Sequence, residues 1–283
     1  MSIDLHLHTT ASDGTCTPAE VVELARAAGL TAIAITDHDT MNGVAEAVNA
    51  GGKLGLEVLP GIELSTDYRG RNTHVLGYGL SPDAPALASV MNWMQGERRR
   101  RNERIAANMR RDGIPVTLKE LEAQHPGATI GRPHFAQVLV ERGLAADVAD
   151  AFHHQLGKGG KYYEKRNCLP MAEAVRAIRE SGGAAVLAHP LQYHYSEEEL
   201  RALAACAAEV GMQGMEVYYT GYGEIERTQL TALAEKFGLI RTGGSDFHGT
   251  NKPDIAVGVG HGRLSVPAEL LDGLKRCIGE GRA

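Results

Sequence analysis

Histidine, aspartate and glutamate side chains accompany several short apolar runs of this sequence. His6 and His8 stand two residues apart in the first run, and Asp246 and His248 repeat that spacing late in the chain. Side chains two apart in a β-strand point to the same face, so each pair could hold one metal ion. Similar positions within or after apolar runs hold Asp13, His38, Glu63, His74 and His189. Together these residues predict a metal centre.

The chemistry of the nine side chains narrows the choice of metal. They offer imidazole nitrogens and carboxylate oxygens but no thiolate, which suits Mn²⁺, Zn²⁺ or Fe²⁺. Nine ligands are more than one ion needs, so we expect two or three divalent ions with a carboxylate bridging two of them. Mn²⁺ is the expected metal, ahead of Zn²⁺ and Fe²⁺. Ions a few ångströms apart suit in-line displacement at phosphorus, so the predicted reaction is hydrolysis of a phosphate ester.

The elements that must position these side chains alternate between strand and helix. Candidate strands cover residues 3–8, 31–36, 57–64, 73–80, 184–189, 215–219 and 239–246. After the first of them, Thr17-Pro18-Ala19-Glu20 forms a capping box ahead of an apolar helical stripe. This alternation predicts an α/β fold with a parallel sheet, whose functional groups collect at the carboxyl ends of the strands. The number of strands suits a closed or nearly closed barrel.

Residues 84–167 interrupt the alternation. Leu87, Val90 and Met94 have helical spacing, and Thr117-Leu118-Lys119-Glu120 is a second capping box. The sequence therefore predicts a small all-helical insertion at residues 84–167 that covers the active site. The barrel domain with its metal cluster would consist of residues 1–83 and 168–283.

The insertion also concentrates positive charge in a chain whose net charge is −6. Seven arginines fall within residues 98–111. Arg132 lies between Gly131 and Pro133 at a predicted helix start, where its planar guanidinium could bind a phosphate through two hydrogen bonds. The predicted substrate-binding residues are Arg100, Arg101, Asn102, Arg132, His134 and Lys158.

Composition excludes several classes of protein. The acidic net charge argues against a surface built for long nucleic acids, and no apolar run approaches the roughly 20 residues of a membrane span. The first residues show neither the basic start nor the apolar stretch of a signal peptide. The four cysteines are far apart, so neither a disulfide framework nor a cysteine zinc site is expected. We therefore expect a cytoplasmic protein without a membrane or obligate protein partner.

The motifs around these residues resemble those of the PHP family, named for polymerase and histidinol phosphatase. They are D-L-H-L-H-T-T-A-S-D-G, A-I-T-D-H-D-T, G-I-E-L, T-H-V-L-G-Y, A-H-P and G-S-D-F-H-G, in the family's order. The resemblance implies a distorted (β/α)7 barrel and a cluster of two or three metal ions. By motif position it implies three ligand sets: His6, His8, Glu63 and Asp246; Glu63, His74 and His189; and Asp13, His38 and His248.

Within that family, the insertion resembles a stand-alone bacterial branch. This branch includes phosphatases of nucleoside 3′,5′-bisphosphates and exoribonucleases that degrade short RNA from its 5′ end. The resemblance implies hydrolysis of a phosphate monoester on a small nucleotide, with short RNA as a further substrate. Glu63, His189 and His248 are the predicted catalytic residues, the two histidines as candidate acids for the leaving group. A histidinol-phosphate-type phosphatase and a non-catalytic metal-binding regulatory module remain the alternatives.

Overall fold

Nine strands form a single sheet within residues 1–279, the part of the chain that the computed structural model describes. They are β1 Ser2–Leu7, β2 Ala32–Ile35, β3 Glu57–Tyr68, β4 Arg71–Tyr78, β5 Leu169–Pro170, β6 Ala184–Leu187, β7 Gly214–Tyr219, β8 Ile240–Gly244 and β9 Val266–Pro267. Their order in the sheet is β8-β7-β6-β4-β3-β2-β1-β9, and β5 pairs with β3. All the predicted strands are present, and β5 and β9 are short additions.

The sheet curls until β8 meets β1, which makes a nearly closed barrel. At this seam Leu7 and Phe247 form a parallel bridge, and Asp246 N donates a hydrogen bond to His6 O at 2.9 Å. A Cβ at Gly244 would lie 2.4 Å from the Cβ of His6, so only glycine permits this approach of the two strands. The predicted distorted barrel is confirmed.

The prediction of a parallel sheet is wrong at β4, which is antiparallel to both β3 and β6. Only Arg69 and Gly70 separate β3 from β4, and their φ angles are 54° and 79°. Such a two-residue turn joins antiparallel strands, whereas a parallel pair needs a crossover of roughly a dozen residues. One hairpin therefore interrupts the (β/α)7 repeat.

Helices cover the outside of the sheet and build the insertion. Within the described residues they are α1 Pro18–Ala27, α2 Val44–Leu54, α3 Pro85–Arg111, α4 Leu118–Gln124, α5 Arg132–Glu141, α6 Val148–Ala151, α7 Met171–Glu180, α8 Glu197–Glu209, α9 Glu224–Lys236 and α10 Leu270–Cys277. The capping boxes predicted at Thr17 and Thr117 are both confirmed. Among the described residues, no helix combines the length and the apolar character that crossing a membrane requires.

The long helix α3 connects two hydrophobic cores. Leu87 and Met94, in its first half, pack in the large core between the sheet and its helices. Ile105 and Met109, in its second half, pack with Phe135 in a separate core of the insertion. Helix α3 begins at Pro85, beside the predicted boundary, but the insertion's own core begins about six turns further on. Sharing one helix fixes the insertion against the barrel.

Candidate metal centre

The nine predicted ligands lie together. Their ligand atoms form four overlapping groups, each within 4.8 Å: His8, Asp13, His38 and His248; His6, Glu63 and His189; His6, His8 and Asp246; and His38, Glu63 and His74. Most of these residues follow the carboxyl ends of β1, β2, β6 and β8, where parallel α/β folds place functional groups. Glu63 and His74 come instead from the β3–β4 hairpin.

Glu63 occupies the middle of the cluster and is 1% exposed. Its Oε1 lies 2.7 Å from His74 Nδ1 and 3.0 Å from His189 Nε2. Its Oε2 lies 2.8 Å from His38 Nδ1 and 3.3 Å from His8 Nε2. The two oxygens face different histidines, which is the arrangement that a carboxylate bridging two cations requires.

Four ligand atoms are spaced as around one cation, and they come from β1 and the residue after it, from β3, and from the loop after β8. His6 Nε2 and His8 Nε2 are 3.2 Å apart, and Asp246 Oδ1 lies 3.7 Å and 3.3 Å from them. Glu63 Oε2 lies 3.6 Å and 3.3 Å from the same two nitrogens. Ligands bound at about 2.1 Å in tetrahedral geometry are separated by about 3.4 Å, so these spacings fit a bound ion.

Asp13 gathers a further group of ligands. Its Oδ1 lies 3.4 Å from His248 Nε2, and its Oδ2 lies 3.9 Å from His38 Nε2. His8 Nδ1 is also 3.9 Å from Asp13 Oδ1. Because His38 faces Glu63 through one nitrogen and Asp13 through the other, the geometry does not separate the second ligand set from the third. The partition into three sets stays a prediction.

A buried histidine nitrogen without a hydrogen-bond partner, at the middle of the cluster, indicates that the cluster is built for cations. His38 Nδ1 is buried and makes no hydrogen bond. His38 Nδ1 is only 2.8 Å from Glu63 Oε2, yet the two atoms are not aligned for one. Buried polar atoms are normally paired, and a ligand atom whose lone pair points at a cation is the exception. The donor set therefore fits divalent metal ions.

Burial and the nearby carboxylates shift the pKa values of the cluster's imidazoles in opposite directions. Burial disfavours the charged form of His8, but hydrogen bonds to Asp246 and Glu63 raise its pKa to about 9. Burial lowers the pKa of His74 and of His248 to about 4 in spite of nearby carboxylates. His74 and His248 are thus held neutral at ordinary pH, the form in which histidine binds a metal.

Glu216, which sequence reasoning missed, orients two of the ligands. This fully buried carboxylate on β7 lies 3.1 Å from His6 Nδ1 and accepts a hydrogen bond from the backbone N of His189 at 2.7 Å. A carboxylate can only accept, so His6 carries its proton on Nδ1 and leaves Nε2 for the cluster. The signal was a lone carboxylate inside the apolar run at residues 215–219.

Asp246 is oriented in the same way. Tyr219 Oη and Lys252 Nζ each donate to its Oδ2 at 2.6 Å, which leaves Oδ1 for the cluster. Asp246 and His189 also have positive φ angles, 57° and 25°, as does Asp39 at 56°. Such backbone conformations cost about 1–3 kcal/mol each in non-glycine residues and are typical of functional sites.

A cavity of about 490 Å³ opens onto the cluster. The barrel contributes Asp13, His38, His74 and His248 to its lining, among others. The insertion contributes Arg98, Arg101, Arg132, Phe152, Tyr163 and Arg166, among others. The insertion thus forms the wall that faces the metal centre. We call Arg98, Arg101, Arg132 and Arg166 the arginine wall.

One buried carboxylate serves two members of the arginine wall. Arg98 Nε and Arg166 Nη1 donate to Asp39 Oδ2 at 3.1 Å and 2.7 Å. Burial alone would raise the pKa of this carboxyl, but the two guanidinium charges hold it well below its usual range. Asp39 Oδ1 accepts a hydrogen bond from the backbone N of Ser65 at 3.0 Å. Asp39 therefore ties the insertion to the hairpin that carries Glu63.

The other two wall arginines have neutral partners. Arg101, 5% exposed, donates to Asn102 Oδ1 at 2.7 Å, and Arg132 donates to Leu156 O at 3.2 Å. Burial and the neighbouring arginines lower the pKa of Arg101 well below its usual range. Among the described residues, neither Arg101 nor Arg132 has a direct carboxylate partner, and this pair of guanidinium groups therefore favours binding of an anion.

The structure places two of the six predicted substrate-binding residues, Arg101 and Arg132, in the lining of the cavity. Arg100 pairs with Glu97 outside it. The other three also lie outside the lining: Asn102 donates to Ile130 O, His134 accepts from Gly131 N, and Lys158 is exposed. Arg98 and Arg166 were not among the predicted residues.

A barrel that gathers histidines and carboxylates beneath a cationic wall defines a metal-dependent hydrolase of phosphate esters. Comparison with known proteins agrees, because residues 4–167 match the PHP domain family. A solved structure from Bifidobacterium adolescentis, a proposed metal-dependent phosphoesterase, matches with a TM-score of 0.86 and 32% identity, covering 97% of this chain and 96% of that one.

Three relatives of described activity resemble the chain along most of its length. The 5′-3′ exoribonuclease Rnm of Escherichia coli is 37% identical over 248 residues, 87% of this chain and 84% of the relative. A 3′,5′-nucleoside bisphosphate phosphatase of Chromobacterium violaceum is 32% identical over 259 residues, which cover 91% of this chain and 90% of the relative. A phosphoribosyl 1,2-cyclic phosphate 1,2-diphosphodiesterase of Eggerthella lenta is 32% identical over 250 residues, which cover 87% of this chain and 94% of the relative. The chain belongs to the PHP family and is a metal-dependent phosphoesterase.

Proposed function

We propose that the protein removes the 3′-phosphate from nucleoside 3′,5′-bisphosphates, with Mn²⁺ ions in the cluster. The observation that carries this proposal is the uncompensated charge of Arg101 and Arg132 in the wall opposite the metal centre. A bisphosphate has two anionic groups, and only one of them can occupy the metal ions. The other requires a cationic partner elsewhere in the same cavity, and the arginine wall supplies it.

Each part of the site then has a defined task. When bound, divalent ions would supply an activated water and neutralise charge on the phosphoryl oxygens. Glu63 would hold them through its two oxygens, and Glu216 keeps Nε2 of His6 available as a ligand. Asp39 holds the guanidinium groups of Arg98 and Arg166 beside the cavity. Arg132 binds the phosphate that is not hydrolysed.

Short RNA with a 5′-phosphate is a second candidate substrate. Release of a 5′-mononucleotide from the 5′ end breaks the same bond, between phosphorus and O3′ of the first nucleotide. The 5′-phosphate would occupy the arginine wall in both reactions. The 5′-3′ exoribonuclease of E. coli, 37% identical to this chain, supports this candidate.

The identity of the metal and the cytoplasmic location of the protein belong to the same proposal. Carboxylates favour Mn²⁺ and imidazoles favour Zn²⁺ or Fe²⁺, so the mixed donor set is compatible with Mn²⁺ as the working ion. Cys16, Cys168 and Cys206 form no disulfide, which is compatible with a reducing cytoplasm.

The test compares adenosine 3′,5′-bisphosphate with adenosine 3′-monophosphate, which lacks the second phosphate. Mn²⁺-loaded enzyme should show a higher kcat/KM for the bisphosphate, and Arg132→Ala should reduce that value by about 10- to 150-fold, the effect of losing one charged hydrogen-bonding partner. Hydrolysis of p-nitrophenyl phosphate should stay nearly unchanged in this variant.

Arg100→Ala is the matched control, because Arg100 lies on the same insertion but pairs with Glu97 outside the cavity. This control should leave kcat/KM for the bisphosphate unchanged. Equal loss on bisphosphate and aryl phosphate in Arg132→Ala would contradict the proposed role of Arg132. Absence of bisphosphate turnover by the metal-loaded wild type would contradict the proposed function.

A further inference from the structure

One end of the cavity differs in chemistry from the rest. There the lining consists of Pro133, Val148, Ala149, Phe152 and Tyr163. The remaining lining is dominated by the metal ligands, the arginine wall and other polar side chains. We call these five residues the aromatic end. A phosphate ester without an apolar part would leave this surface without a purpose.

The aromatic end adjoins the arginine that binds the distal phosphate. The guanidinium carbon of Arg132 lies 5.3 Å from the ring centroid of Phe152 and 6.0 Å from that of Tyr163. The preceding residue, Gly131, borders the metal centre, since a Cβ there would lie 3.6 Å from Asp13 Oδ2. Metal ligands, cation and aromatic rings therefore follow one another along one wall.

A single wide turn positions both the ring and the cation. Residues Phe152–Leu156 form a π-helical turn, closed by a hydrogen bond of 2.8 Å from Gly157 N to Phe152 O. Leu156 O in the same turn accepts the hydrogen bond from Arg132. Such turns are rare and occur often at functional sites. Changing this turn would displace Phe152 and Arg132 together.

We propose that the aromatic end binds the nucleobase of the substrate by stacking against Phe152 and Tyr163, and that it accepts all four common bases. This inference rests on the proposed function, because it assumes a nucleotide substrate. Every base has a π-face, so stacking tolerates any base. The carboxylate of Glu164, the acidic neighbour in the lining, is committed to Arg104 Nε at 2.9 Å and Asn108 Nδ2 at 2.7 Å. It is therefore not available to read the edge of a base.

Equilibrium binding of the nucleotide product and of a counterpart without a base tests the proposal without turnover. Adenosine 5′-monophosphate and ribose 5-phosphate differ by the base alone, and both would be titrated into Mn²⁺-loaded protein. Wild type should bind the nucleotide about 5- to 150-fold more tightly, the range of one base–aromatic stack. Phe152→Leu should remove most of this difference and leave the Kd of ribose 5-phosphate within about twofold. Phe152→Trp, which keeps an aromatic face, should retain the difference.

Three results would overturn the inference. They are equal affinity of the wild type for both ligands, equal weakening of both in Phe152→Leu, and preference for one base by more than about 100-fold among the four 5′-monophosphates, a range beyond stacking alone. If Phe152→Leu fails to fold, Tyr163→Leu provides the same comparison. Failure of bisphosphate hydrolysis would be seen separately, because the binding ratio needs no reaction.

Discussion

The metal centre and the arginine wall face each other across one cavity, but they are built on different principles. The metal ligands project from the backbone of six strands or the residues just after them, and Glu216, Tyr219 and Lys252 fix their orientation. The wall consists of long side chains on helices and a loop of the insertion, and Asp39 is the carboxylate that holds two of them. In the proposed function, the barrel determines the reaction, while the insertion determines which molecule undergoes it.

The largest expected effect is on the barrel side. Glu63→Gln removes the charge shared between the two halves of the cluster, and kcat should fall by at least about 100-fold on adenosine 3′,5′-bisphosphate and on p-nitrophenyl phosphate alike. Kinetics on both substrates, with metal content determined for the same preparation, would measure it. An unchanged rate at full metal content would refute the bridging role of Glu63. A loss confined to the bisphosphate would contradict the contrast drawn between the metal centre and the arginine wall.

An intermediate effect is expected from the residue behind the ligands. Glu216→Gln leaves the shape of the side chain but weakens its hold on His6, so metal affinity should fall about 10- to 100-fold. Once saturated with metal, this variant should keep the wild-type preference for the bisphosphate over p-nitrophenyl phosphate. Competition with a chelator gives the affinity, and Glu209→Gln, exposed on α8, is the control. Unaltered metal affinity would mean that Glu216 does not orient His6.

The smallest effect concerns the insertion and its stability. Burial lowers the pKa of His134 from 6.5 to about 4, so between these values the unfolded chain binds more protons than the folded one. The contribution to stability is complete above pH 6.5 and is lost as the pH falls towards 4, by up to about 3 kcal/mol. His134→Gln should therefore reduce the pH dependence of urea unfolding between pH 7 and 5. The exposed His154→Gln should behave like wild type, and identical slopes for His134→Gln and wild type would contradict the assignment.

The metal ligands could be predicted because their signal is local. A histidine or carboxylate directly after an apolar run needs only the strand to be recognised, as at His189 and Asp246. Glu216 was not predicted because it lies inside its strand. At such a position the sequence alone does not distinguish a carboxylate that orients a metal ligand from an ordinary interior residue. The direction of β4 was predicted wrongly although the eight residues between the strands predicted at 57–64 and 73–80 were already too few for a crossover. In the structure β3 continues to Tyr68, which shortens the connection to two residues.

The arginine wall was harder to predict, because four consecutive arginines surround a helix. Arg98 and Arg101 are buried, whereas Arg99 and Arg100 are exposed. The helical stripe that contains Met94 and Ile105 passes through positions 98 and 101, so extending it would have found the inward-facing pair. Arg166 had no such signal, since it lies in a loop and reaches Asp39 only in the folded chain.

Asp39 sets a compatibility rule for exchanging insertions between relatives in protein engineering. A transplanted segment that lacks cationic side chains at positions 98 and 166 would leave this carboxylate buried and unpaired. Breaking a buried ion pair from one side typically costs about 3–5 kcal/mol, a large part of the stability of an ordinary domain. Chimaeras with altered substrate preference should therefore keep Arg98 and Arg166 and vary Arg101, Arg132 and the aromatic end.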